Sequence, residues 1–133
     1  MANYKKTRKN NIVWGYTAIV DETIFGHNSY FALLKAKSPF NDVLESSIKR
    51  LEGKNAEKIN IRLLGCFYVN GPYDWIILFS AENIRDAKKF CGYIQKEYGG
   101  ILDRIELLEN VFSLLKLGKV NPDIERYKEI ASF

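Results

Sequence analysis

The stretches Ile61–Asn70 and Tyr73–Ala81 have the side-chain period of β-strands, yet neither alternates between apolar and polar residues. In the first, Ile61, Leu63, Gly65, Phe67 and Val69 fall on one side, with Leu64, Cys66 and Tyr68 on the other. In the second, Tyr73, Trp75, Ile77 and Phe79 oppose Ile76 and Leu78. A sheet with one wet face would show a polar residue at every second position. These strands therefore predict a sheet that needs a cover on both sides.

The order of elements says where one cover comes from. Ser38 is placed to cap a helix with Pro39 at its first position; Phe40, Val43, Leu44, Ile48 and Leu51 follow at helical spacing, and Gly53 ends it. A second helix opens at Asn83, with Asp86 three residues on. Its buried stripe reads Ile84, Ala87, Phe90, Cys91, Ile94 and Tyr98, and Gly99-Gly100 stops it. Strands are expected over residues 12–24, 30–37 and 101–117 as well. A turn-rich break separates the first two at residues 26–29. A short helix after Asn121-Pro122 is expected to bury Ile124, Tyr127 and Ile130. Leaving residues 12–24 aside, the order is β-α-β-β-α-β. That is the ferredoxin-like α+β sandwich, a four-stranded antiparallel sheet with two helices on one face.

The last strand sets Leu107, Val111 and Leu115 against Leu108, Phe112 and Leu114, so it too is apolar on both sides. Two helices cover one face only. The other must meet a second copy of the chain, or be covered by residues 12–24 and the C-terminal helix folding back.

Composition narrows the partners. A chain of 133 residues with 47% hydrophobic residues is one globular domain. No apolar run is long enough to span a bilayer and the start is not a signal peptide, so a cytoplasmic protein without a membrane partner is expected. The formal charge of +4 is matched by Lys5, Lys6, Arg8 and Lys9, so the body is neutral and only a basic leader could touch phosphate. A neutral body without a "GFGFV"-type aromatic strand argues against RNA binding. Cys66 and Cys91 lack metal-ligand spacing, and the one histidine, His27, is remote in sequence. Reduced, buried thiols are expected, with no metal and no organic cofactor. No Ser/His or Cys/His pairing and no phosphate-cradling loop points to catalysis.

The heptapeptide "VNGPYDW" at residues 69–75 is more than a hairpin needs. Gly71 permits positive φ after Asn70, Pro72 stiffens the exit, and Asp74 offers a carboxylate to backbone N–H groups. Asp74 either caps the turn or, with the exposed amides, holds the charged end of a small metabolite.

These features together resemble the effector-binding RAM domain of the Lrp/AsnC (feast/famine) transcription regulators. The likeness is carried by "IVWGYTAIVDETIFG" at 12–26, which matches that family's linker strand, and by Gly71, Tyr73 and Asp74, which match its Gly-x-(Tyr/Phe/His)-Asp hairpin motif. The resemblance implies a basic leader (1–11), a linker strand (12–26), a ligand-binding and oligomerisation domain (27–120) and a C-terminal helix (121–133). It implies a homodimer of the α+β barrel type and higher oligomers. It also implies a small-molecule effector, an amino acid or related metabolite, bound between dimers by Asn70, Gly71, Tyr73 and Asp74. Glu106 and Leu108 supply the second side of that site, where the family usually carries a Thr/Ser pair. A carboxylate at that position would repel the carboxylate of an ordinary amino acid. Because eleven residues precede Ile12, DNA contact is expected only through a helix-turn-helix module absent from this chain or supplied by a partner. The competing functions are an enzyme of the dimeric α+β barrel type, drawing on Asp74, Glu106 and His27, and an interaction module without a ligand.

Overall fold

The computed structural model describes residues 11–37 and 60–131. Four strands, β1 (Asn28–Ala36), β2 (Ile61–Tyr68), β3 (Trp75–Ala81) and β4 (Leu102–Glu109), form an antiparallel sheet in the order β2-β3-β1-β4. This is the ferredoxin-like α+β arrangement, with the first and third strands side by side at the centre. The helix expected over residues 39–52 lies outside the described residues.

Helix α1 (Ile84–Tyr98) starts where expected, because the Asn83 side chain accepts the Asp86 N–H at 2.9 Å. Its buried stripe is Ala87, Phe90, Ile94 and Tyr98, while Ile84 stays exposed and Cys91 half-buried. That stripe closes one sheet face. Tyr30, Ala32 and Leu34 of β1 and Trp75, Ile77 and Phe79 of β3 meet it and are essentially inaccessible. Phe79 sits at the centre, with ring centroids 4.7 Å from Phe90 and 5.6 Å from Tyr30.

The opposite face carries Phe31 and Leu33 from β1, Ile76 and Leu78 from β3, Phe67 from β2 and Leu108 from β4. Phe67 remains 52% exposed and Leu108 49%. Among the described residues, residues 17–20 and a C-terminal hairpin line a cleft at one margin of this face, near Ser29, and the middle is left open.

Five expectations need correction. Residues 12–24 form no strand. A strand needs a ladder partner for its N–H and C=O groups, and none exists for this segment among the described residues. Only a 3-10 helix, η1 (Glu22–Phe25), interrupts it, capped by Asp21, whose carboxylate accepts from the Thr23 N–H and hydroxyl at 3.0 and 2.6 Å.

In β2 the register slips between Leu63 and Gly65, so Cys66 and Tyr68, not Gly65 and Phe67, share the core side with Leu63. The bulge depends on Gly65: a Cβ there would meet the Phe67 ring at 2.8 Å.

The last strand stops at Glu109. There Asn110 turns the chain by donating its backbone N–H to the Ser29 carbonyl and its amide to the Ser29 and Ser113 hydroxyls, at 2.7–2.9 Å. A two-residue turn at Leu117-Gly118, both at positive φ, then joins β5 (Leu115–Lys116) to β6 (Lys119–Val120).

The terminal helix α2 (Ile124–Ala131) is capped by Asp123, which accepts the Arg126 N–H. It does not bury its stripe, as Ile124 and Tyr127 are each 41% exposed. Finally, Cys66 is exposed on the edge strand, where its sulfur accepts from the Trp75 indole. Only Cys91 is partly enclosed, and burial pushes its thiol up to about 11.

Phe79→Ala is expected to lower unfolding stability by about 3–5 kcal/mol, because Phe90 and Tyr30 lose the ring they share. Urea denaturation followed by far-UV circular dichroism checks this, and a loss under about 1 kcal/mol would remove Phe79 from the core.

Candidate functional site

The connection between β2 and β3 is a six-residue loop, Val69–Asp74, rather than a tight reversal. Gly71 has φ 141°, a conformation that a side chain would strain, so the tip requires glycine there. Asn70 and Gly71 lie exposed at the tip. The return limb turns inward. The Val69 N–H donates to the Asp74 carbonyl, and the Asp74 N–H donates to the Leu34 carbonyl, both at 2.9 Å.

Asp74 therefore docks on the end of β1. Its Oδ2 accepts the Ala36 N–H at 2.9 Å and lies 3.3 Å from the Lys35 ammonium. The backbone N–H of Ala36, ahead of Lys35, stabilises the ionised form and holds the carboxyl below the usual carboxylate range. Of the two sequence readings of this residue, the capping one describes these bonds.

Tyr73 points across the sheet margin toward β4. Its hydroxyl donates to Glu106 Oε2 at 2.5 Å, and that bond, which only the protonated phenol can donate, raises its pKa. The Arg104 guanidinium lies 5.2 Å from the Tyr73 ring centroid, and its Nε is 3.4 Å from Glu106 Oε1. Strand register explains the meeting. Lys35 is opposite Arg104 and Leu33 opposite Glu106, so all three polar groups emerge on the open face beside the loop.

The result is two ion pairs side by side, Arg104–Glu106 on the Tyr73 phenol and Lys35–Asp74 next to it, joined by the register that sets Lys35 opposite Arg104. Such a set can satisfy both ends of a zwitterion. Tyr73, Asp74 and Glu106 come together as the sequence suggested. Leu108 does not join them; it pairs with Phe31 one row further along and belongs to the apolar middle. Lys35 and Arg104 were missed, although strand periodicity does place Arg104 on the face of Glu106.

The acid/base set of Asp74, Glu106 and His27 does not assemble. His27 precedes the first residue of β1 and Asp74 binds its last, roughly 30 Å of strand apart. His27 is also half-buried. Trp14 is 90% exposed, with its indole donating to the Asn11 carbonyl.

Several solved structures that share this fold are transcriptional or feast/famine regulators. The chain aligns with a feast or famine regulatory protein from M. tuberculosis complexed with L-methionine, at 14% identity and a TM-score of 0.64, over 91% of this chain and 76% of that one. The leucine response regulatory protein of Mycobacterium tuberculosis gives 17% identity and 0.65, over 86% and 72%. An AsnC family transcriptional regulator from Agrobacterium tumefaciens gives 8% and 0.63, over 92% and 76%. The fold is that of the feast/famine regulators. The resemblance carried by residues 12–26 and 71–74 thus holds at the level of fold, across about nine tenths of the chain. No family model matches the sequence and no curated protein matches it. Among the described residues no helix is long and apolar enough to cross a membrane.

Replacing Asp74 with Ala in this feast/famine fold is expected to cost about 1–2 kcal/mol at neutral pH, a charged hydrogen bond reduced by partial exposure. Because its folded pKa is depressed, the contribution is complete above the ordinary carboxylate pKa of 3.8 and fades as pH falls through the lower folded value. Parent and variant urea midpoints should separate at about pH 7 and converge near about pH 2. A constant separation would detach the effect from this carboxylate.

Proposed function

We propose that the chain is the sensing and oligomerisation domain of a Lrp/AsnC-type transcriptional regulator. In this reading it binds an amino acid or related metabolite at the hairpin tip where two dimers meet. The observation that carries the reading is the convergence of Tyr73, Asp74 and Glu106 with Lys35 and Arg104 at the margin of an open apolar sheet face. The architecture supports it, since a protein of the same fold is complexed with L-methionine.

Glu106 need not repel an amino-acid carboxylate. Arg104 lies beside it and Lys35 beside Asp74, so an effector carboxylate would meet the cations while its ammonium meets the acids. The apolar face would join two copies into a dimer, with residues 12–26 as linker, 27–120 as the sensor body and 121–133 as the terminal helix. Effector bound across dimers would then stabilise one assembly over another by linkage, and any DNA-binding module carried by the assembly would change its spacing. The cytoplasm is where such a regulator would act.

Isothermal titration against the proteinogenic amino acids tests this. At least one should bind saturably, and Tyr73→Ala with Arg104→Met should weaken it at least about tenfold, the loss of one charged contact. No saturable binding by the parent chain, or binding that ignores both substitutions, would contradict the reading.

A further inference from the structure

A cavity lies at the end of the sheet away from the hairpin tip. It has a volume of about 450 Å³, within the range of small-ligand sites. Phe31 and Leu78 form its floor on the open face, Ile19 one wall, and Leu115 and Leu117 of the C-terminal hairpin another. An ionic clasp holds these walls together. The Lys116 ammonium donates to the Val20 carbonyl at 2.9 Å and pairs with Glu22, while Arg126 reaches Asp21 at 3.5 Å.

The polar lining determines what fits. Glu22 and Lys116 neutralise one another, and the Thr17 hydroxyl donates to the Ala18 carbonyl. Ser29, Asn110 and Ser113 hydrogen-bond among themselves. Arg62 also lines the cavity, and its guanidinium has no hydrogen-bond or ion-pair partner among the described residues. A partly open apolar cleft, with one guanidinium uncommitted among the described residues, complements a single anionic group on a hydrocarbon body. A zwitterion is matched less well, because no carboxylate of the lining is left for its ammonium.

We propose that this cavity binds a small apolar monocarboxylate, a branched 2-oxo acid or a medium-chain fatty acid, with Arg62 holding the carboxylate and the side chains of Phe31, Leu78 and Leu115 enclosing the hydrocarbon. The site is about 20 Å of strand away from Asp74, since it borders the end of β3 at which Ser80 pairs with Arg62. It goes beyond the tip site and does not depend on it.

The test is calorimetric titration of the full chain with 4-methyl-2-oxopentanoate and with octanoate. At least one should bind saturably. Arg62→Met should weaken that binding at least tenfold, and Arg62→Lys should restore part of it. Leu115→Trp, which fills the cavity from the hairpin, should abolish binding while circular dichroism stays unchanged. Absence of saturable binding by the parent chain overturns the proposal. So does binding that survives both Arg62→Met and Leu115→Trp, which would put the carboxylate elsewhere, including at the hairpin tip. Failure of the tip site leaves these outcomes unaffected, because none of the substituted residues touches it.

Discussion

A four-stranded sheet of this kind has two faces to bury and, in these residues, one certain cover. Helix α1 closes the first face over Phe79, Phe90 and Tyr30. The second face presents Phe31, Leu33, Ile76 and Leu78 half-buried, with Phe67 and Leu108 facing outward. At about 25 cal/mol per Å² of apolar surface, leaving such a patch in water forgoes several kcal/mol that association would recover. That asymmetry organises the rest of the molecule. The polar cluster around Tyr73 stands at one margin of the open face, and the Arg62 cavity at the other.

Electrostatics fixes what the apolar faces leave loose. Asp74 ties the β2–β3 loop to the last residues of β1 through Ala36 and Lys35. At the opposite end, Lys116 and Arg126 tie the segment before β1 to the C-terminal hairpin and α2 through Glu22, Asp21 and Thr23. The ion pairs among these contacts are partly exposed, so each contributes little to stability, the Asp74 hydrogen bond to the Ala36 N–H contributing more. Their role is positional: they decide which side chains border each end of the open face.

How much of this was legible in the sequence depended on whether the signal was local. The period-2 pattern placed β1 and β3 to within a residue or two, and Asn83 marked the start of α1 because capping is a three-residue interaction. The β2 bulge was invisible, since Leu63 and Leu64 are alike and only pairing with β3 reveals the slip. Asn110 ends β4 through Ser29, 81 residues away in sequence, so residues 110–117 kept the look of a strand. The alternation in 12–24 is real, but a strand also needs a neighbour, which sequence periodicity does not supply. Of the candidate site, Tyr73, Asp74 and Glu106 were readable as a motif and an alignment, whereas Lys35 and Arg104 belong to it only through antiparallel register.

The open face is therefore the feature on which a regulator's assembly would stand, and its state in solution is directly measurable. Light scattering coupled to size exclusion should give a particle of at least twice 15.4 kDa for the parent chain. A Phe67→Lys, Leu108→Glu double variant, charged at the two most open positions of that face, should run as a folded monomer. A parent chain that is already a stable monomer, or a double variant that remains as large as the parent, would contradict the account.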